Sequence, residues 1–262
     1  MFKKQILRIV KKMGYNIILY NQDSDFNAFS VDFNFLHKDF DDFHKGIMKG
    51  VKDFTMTSPE RLYGLIEAVK YISKNKIAGD IVECGVWRGG SMMAIANTLL
   101  SLNDTQRNLY LFDTFEGMTE PDISKDIDTN NMDAHTYLNN NKKSEEDFIW
   151  AYAPLDSVKN NLHSTGYPKE NINFIKGKVE ETLPYNEIKE IALLRLDTDW
   201  YTSTKHEMQT LFPLIKKGGV LIIDDYGHWE GAKQAIDEYI QENNIMILLN
   251  RLDYSGRIAI KQ

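Results

Sequence analysis

Cysteine is nearly absent: Cys84 is the only one in the chain. No intrachain disulfide can form, which fits a reducing compartment and an expected cytoplasmic location. No run of about 18 apolar residues occurs, so no membrane-spanning helix is expected. Positive charge is not in surplus either. Lys and Arg number 31 against 38 Asp and Glu, a net charge of −7. Nucleic acid is therefore not an expected partner, since a duplex demands a phosphate-neutralising surface. The six histidines show no HxxxH or HExxH spacing, which leaves no zinc signature. There is no GxGxxG turn, and no GK[ST] follows the glycine-rich segment, so neither a dinucleotide fingerprint nor a P-loop is present.

What remains is an ordinary globular composition, 42% hydrophobic and 26% charged over 262 residues. That length holds one large α/β domain, or a domain with a lid. The opening stretch carries early lysines, but Lys11 and Lys12 interrupt its apolar run and no small-residue cleavage site follows. No signal peptide is expected. Phe2, Ile6, Leu7, Val10 and Met13 fit one helical face. Such a face packs on its own domain or a sister subunit, or lies on a membrane surface. Residues 1–55 read as a helical cap, and 56–262 as the main domain.

From residue 57 the pattern sharpens. Ser58 suits an N-cap and Pro59 the first helical position. Leu62, Leu65, Ile66, Val69 and Ile72 then recur at helical spacing, fading near Asn75. Apolar strands follow at DIVEC (80–84), NLYLFD (108–113), INFIKG (172–177), IALLRLD (191–197) and GVLIIDD (219–225). Helical segments fall between them, at about 91–102, 155–165 and 202–216, with another at about 231–243. Alternation of this kind predicts a parallel sheet covered on both faces. IMILLNRL (245–252) and GRIAIKQ (256–262), joined at Tyr254-Ser255-Gly256, are too closely linked for a crossover and must form an antiparallel hairpin. The polar stretch near 119–150 reads as an insertion.

Ligands of such sheets sit outside the carboxyl ends of the strands. Those ends carry Glu83, Asp113, Asp197 and the pair Asp224-Asp225. The turn Glu83-Cys84-Gly85-Val86-Trp87-Arg88-Gly89-Gly90-Ser91 allows close backbone approach and leads into a helix N-terminus suited to a carboxylate. Asp113, ending the next strand, can accept hydrogen bonds from two ribose hydroxyls. Together they argue for an adenosine cofactor, and the glycine spacing favours S-adenosylmethionine (SAM) over NAD. Cys84 reads as a small buried residue. Asp197 and Asp224 end adjacent strands, with Asp199 and Asp225 close in sequence. Several carboxylates in one volume repel unless a cation lies between them, and an all-oxygen set suits Mg²⁺, or Mn²⁺ or Ca²⁺. His228 and Trp229 line either an acceptor pocket or a surface loop.

The segments TMTSPERLYGLIEAVKYI (55–72), GDIVECGVWRGGSMMAIA (79–96), LYLFDTFEGM (109–118), LLRLDTDWYTSTKHEM (193–208) and KKGGVLIIDDYGHWEGAKQAIDEY (216–239) together resemble the macrocin-type sugar O-methyltransferases, the TylF/MycF/NovP-like family. The resemblance implies a class I methyltransferase fold of five parallel strands and a terminal antiparallel hairpin. It implies SAM- and Mg²⁺-dependent methylation of a sugar hydroxyl, free, nucleotide-linked or in a glycoside. Asp197, Asp224 and Asp225 would hold the metal, with Asp197 also the general base. Glu83, Gly85, Ser91 and Asp113 would hold SAM, with Thr57 and Ser58 near its methionine end. A homo-oligomer is implied as well. The first 54 residues and the 119–150 insertion match the family poorly. Two rivals were weighed: a NAD-dependent sugar-modifying enzyme, which needs a tighter glycine turn and a YxxxK pair in a convincing place, and a non-catalytic SAM-binding subunit.

Overall fold

The computed structural model describes residues 36–140, 144 and 149–262. The amphipathic stretch at the start of the chain lies outside these residues. The described residues all fall in one compact unit.

Helix α1 (Asp42–Val51) opens the described chain, capped by Asp41, whose side chain accepts the His44 N–H. Helix α2 (Pro59–Lys74) starts as its sequence indicates: Ser58 accepts the Arg61 N–H and Pro59 occupies the first turn. Strand β1 (Asp80–Cys84), helix α3 (Gly90–Ser101) and strand β2 (Leu109–Asp113) follow. The insertion contributes the short helix α4 (Ala134–Asn139). Then come α5 (Leu155–Ser164), β3 (Ile172–Lys176), α6 (Val179–Thr182), β4 (Ile191–Leu196), α7 (Tyr201–Thr210), β5 (Ile215–Ile223) and α8 (Glu230–Glu242). Strands β6 (Asn250–Arg251) and β7 (Arg257–Ile260) end the chain.

The strands form one seven-stranded sheet in the order β3-β2-β1-β4-β5-β7-β6. β1 to β5 are parallel, and β7 runs antiparallel to both β5 and β6. Residues alternate between the two faces, as strand geometry requires. Ile81, Leu111, Leu193 and Ile222 pack towards α1, α2, α3 and α5. Val82, Phe112, Leu194 and Ile223 pack towards α6, α7 and α8. Chain order reverses between β1 and β4, so their carboxyl ends open the crevice where such sheets take ligands.

Three boundaries differ from the sequence reading. The helix expected at 202–216 stops at Thr210, a 3-10 turn covers Phe212–Leu214, and β5 starts at Ile215. Pro213, which has no N–H to donate, stands in that turn. The strand expected at 245–252 shrinks to Asn250–Arg251. Its apolar residues divide: Ile245, Ile247 and Leu249 pack against the core, while Met246 and Leu248 are exposed. The insertion is anchored, not free. Asp126 accepts the Tyr201 N–H at 2.8 Å, Trp200 Nε1 donates to the Thr119 carbonyl at 3.0 Å, and Asp128 pairs with Trp229. Ala134 and Leu138 bury against Trp200 and Trp229 in a small separate core.

Candidate cofactor and metal site

Strand register builds the site. Glu83 of β1 stands beside Arg195 of β4, which stands beside Ile222 of β5, two residues before Asp224. All three polar side chains therefore leave the sheet on the α2 side. A buried guanidinium demands partners, and Arg195, 2% exposed in its side chain, finds four. Nη1 donates to Glu83 Oε1 at 2.7 Å and to Asp197 Oδ2 at 2.6 Å. Nη2 donates to Asp224 Oδ1 at 2.6 Å and to Thr57 Oγ1 at 2.9 Å. A second arginine reaches the cluster from α2. Arg61 Nη1 donates to Asp224 Oδ2, and Nε pairs with Asp253 Oδ2 at 2.9 Å. Neither arginine figured in the sequence reading. The available signal was a charge inside the apolar run LLRL.

On the cofactor side, Gly85 has φ +81, and a Cβ there would lie 1.9 Å from the Asp197 carbonyl oxygen. Glycine is thus required for β1 and β4 to approach at the crevice. Asp113 faces this turn: its Oδ2 accepts the N–H groups of Val86 at 2.7 Å and Trp87 at 3.1 Å, and its Oδ1 that of Phe115 at 2.6 Å. Burial raises the Asp113 pKa against the pull of these donors. The turn is therefore less open than its glycines suggest, because the Gly90 N–H is also engaged, by the Phe54 carbonyl at 2.9 Å. Each Asp113 oxygen keeps lone-pair capacity for a further donor. Thr57 Oγ1 lies 3.4 Å from Ser91 Oγ, which brings those two residues together as the sequence reading requires. Ser58 instead turns towards the metal side, donating to Asp253 Oδ2 at 2.7 Å. Glu83 is 1% exposed, and its Oε2 is buried with no hydrogen-bond partner among the described residues. Burial pushes its pKa up to about 7, against Arg195. An orphaned carboxylate oxygen in a ligand crevice calls for a cationic or N–H donor from a bound group.

On the metal side, Asp197, Asp224 and Asp225 each place an oxygen within 4.8 Å of the others. Burial raises the Asp197 pKa well above the usual carboxylate range despite Arg195, and Asp224 and Asp225 add to the rise. Burial does the same to Asp225, with Asp199 and Asp224 adding. Asp199 supports the group from outside: its N–H donates to Asp225 Oδ2 at 3.3 Å, and its backbone holds φ 65, a left-handed conformation that Asp tolerates. Burial and Asp197 push its pKa up to about 7. An all-carboxylate set that disfavours its own charge is what a divalent cation relieves, and the oxygen donors suit Mg²⁺ or Mn²⁺.

Aromatic rings follow the Asp224-Asp225 pair. The His228 ring meets Trp229 and Tyr254 edge-on, at 4.9 and 6.0 Å between centroids. Tyr254, half exposed, belongs to the turn before β7. That turn is fastened to the site, since Ser255 Oγ donates to the Asp224 carbonyl. Tyr201 and Lys205 have the tyrosine–lysine spacing of a dehydrogenase-type pair, but both are engaged with Glu238 Oε2 of α8, at 2.6 and 2.7 Å. Cys84 is buried, and burial raises its thiol pKa well above the ordinary value, which argues against a nucleophile.

A family model described as macrocin O-methyltransferase (TylF) matches residues 28–259. The 8-demethyl-8-(2,3-dimethoxy-α-L-rhamnosyl)-tetracenomycin-C 4′-O-methyltransferase of Streptomyces olivaceus is 31% identical over 202 residues, covering 77% of this chain and 73% of that protein. The demethyldecarbamoylnovobiocin O-methyltransferase of Streptomyces niveus is 31% identical over 204 residues, with the same coverage of 77% and 73%. The solved structure of the O-methyltransferase NovP superposes with a TM-score of 0.67 at 27% identity, covering 83% of this chain and 88% of that one.

Proposed function

Since the chain belongs to the macrocin O-methyltransferase family, we propose that it transfers a methyl group from SAM to a hydroxyl of a sugar with the help of a bound divalent cation. One observation carries this reading: one guanidinium, that of Arg195, holds Asp197 and Asp224 of the convergent aspartate group together with Glu83, whose second oxygen is left orphaned.

SAM, when bound, supplies an electrophilic methyl group on its sulfonium. Glu83 and Asp113 would accept its polar hydrogens, Gly85 would let it approach the backbone, and Thr57 and Ser91 would hold the methionine end, while Ser58 stays with Asp253. A cation held by Asp197, Asp224 and Asp225 supplies Lewis acidity that makes a neighbouring hydroxyl easier to ionise. Mg²⁺ suits these donors, with Mn²⁺ or Ca²⁺ as substitutes. Asp197 takes the hydroxyl proton on a carboxylate oxygen as general base. Its hydrogen bond from Arg195 fixes the rotamer from which it does so.

The relatives' names give as acceptors a dimethoxy-rhamnosyl tetracenomycin, demethyldecarbamoylnovobiocin and mycinamicin III, the first methylated on its rhamnosyl group's 4′ position. The same acceptor class is proposed here. Residues 1–55 as a cap, together with the 119–150 insertion, would select the particular sugar. The chain is further proposed to work in the cytoplasm as a homo-oligomer. Among the described residues no helix is long and apolar enough to cross a membrane. Calorimetric titration with SAM and with NAD tests the cofactor assignment: binding of SAM alone supports it, and binding of NAD alone overturns it.

A further inference from the structure

Arg61 sits on a helix that otherwise packs its apolar face into the core, yet its side chain is 8% exposed and ends among carboxylates. It touches two of them. Asp224 belongs to the convergent metal-fitting group, and Asp253 does not. Asp253 is a ready-made second host. Its Oδ1 accepts the N–H groups of Ser255 at 2.9 Å and Gly256 at 2.6 Å, which fixes the carboxylate in place. Arg61 holds its pKa low although burial pushes the other way. The two arginines on Asp224 differ in this respect. Arg195 is locked by Glu83, Asp197 and Thr57 as well as Asp224. Arg61 can give up Asp224 and still keep an ion pair.

We propose that Arg61 is an exchangeable counter-ion: it pairs with both Asp224 and Asp253 while the carboxylate group lacks a cation, and withdraws onto Asp253 alone when a divalent cation takes Asp224. The inference rests on the metal reading above. Asp224 already carries Arg195, so a divalent cation arriving there would meet two guanidinium charges, whose repulsion grows as water is excluded, and Arg61 is the one with another acid to hold. Full loss of either would leave buried acids unpaired, which is costly. Two acids within reach of one guanidinium resolve the conflict without exposing a charge. The exchange also reaches the start of α2, because Asp253 Oδ2 accepts from Ser58 Oγ, the N-cap of that helix. Metal loading would then change the partners of the segment assigned to the cofactor's methionine end.

The proposal makes two opposite predictions. Removing Arg61 takes a competing charge from Asp224, so cation affinity should rise while the metal-free protein loses stability. Removing the charge of Asp253 confines Arg61 to Asp224, so cation affinity should fall. The experiment is a thermal-shift titration of the full chain with Mn²⁺ and with Mg²⁺, for wild type, Arg61→Met, Asp253→Asn and Asp224→Asn. The expected results are a lower melting temperature without metal and an about fivefold lower half-saturating Mn²⁺ concentration for Arg61→Met, and an about threefold higher one for Asp253→Asn. A merely structural Arg61 would weaken metal binding when removed, so unchanged or weaker affinity in folded Arg61→Met overturns the exchange. If Arg61→Met does not fold, Asp253→Asn decides alone, and unchanged or tighter binding there overturns it. A wild type with no metal response, matched by Asp224→Asn, would instead sink the metal reading itself.

Discussion

Arg195 Nη1 lies 2.7 Å from Glu83 Oε1 across the seam between β1 and β4. That pair occupies the point where chain order reverses in the sheet. It fixes the cofactor-side acid with one nitrogen while the same guanidinium fixes Asp197 and Asp224. The two halves of the candidate site thus share one side chain, which would fix the proposed methyl donor relative to the proposed acceptor.

Asp197 is assigned a proton and a metal ligand position, and no direct contact with the cofactor. Asp197→Asn should lower kcat by about 100-fold or more, while the SAM dissociation constant stays within about threefold, far below the tenfold that 1.4 kcal/mol would give. Steady-state kinetics and calorimetry measure the two quantities. A wild-type kcat in this variant would remove Asp197 from both roles.

Asp113 serves the fold besides its proposed cofactor role, because three backbone N–H groups end on it. Asp113→Ala leaves them without their charged acceptor, at a cost of about 3 kcal/mol. The melting temperature should drop by roughly 5 °C or more, and SAM binding should weaken by at least about tenfold. A variant with normal melting and normal SAM affinity would contradict the hydrogen bonding described.

Glu207 of α7 is buried behind the site and accepts from Thr198 Oγ1 at 3.0 and 3.1 Å. Burial pushes its pKa up to about 8 from 4.5, the Thr198 and Cys84 hydrogen bonds act against this, and Glu180 adds to the rise. A raised carboxyl pKa means the folded chain holds a proton that the unfolded chain has lost. Its stabilising contribution is complete below about pH 4.5 and is lost as pH rises towards 8. Glu207→Gln cannot titrate. Melting curves from pH 5 to pH 9 should fall more steeply for wild type than for the variant. Parallel curves would show that Glu207 titrates normally.

Much of this was legible in the sequence, for reasons that differ between elements. The five parallel strands announce themselves as apolar runs because both faces of the sheet are buried, and Ser58-Pro59 marks the start of α2 by cap chemistry alone. The acids at the strand ends stand out because packing gives them no reason to be there. Arg61 and Arg195 were obscured by their apolar neighbours: their roles depend on partners 163 and 112 residues away in sequence, which no local pattern encodes. The segment 245–249 failed for the converse reason. Its run of Ile, Met and Leu satisfies a strand template, but one face of it packs while the other meets solvent without a neighbouring strand. Asp253 was invisible for want of any periodicity in a turn.

The central claim is that the three aspartates hold a cation needed for methyl transfer to a sugar. Its most direct test is S-adenosylhomocysteine release and mass spectrometry of the sugar product, with SAM and a panel of deoxyhexose glycosides and nucleotide-linked deoxyhexoses. The assay is run with Mg²⁺, with EDTA, and with EDTA followed by excess Mg²⁺. A singly methylated sugar is expected with Mg²⁺, none in chelator, and recovery on adding the metal back. Equal product in chelator, or no methylated sugar from any acceptor by a protein that binds SAM and Mg²⁺, would contradict it.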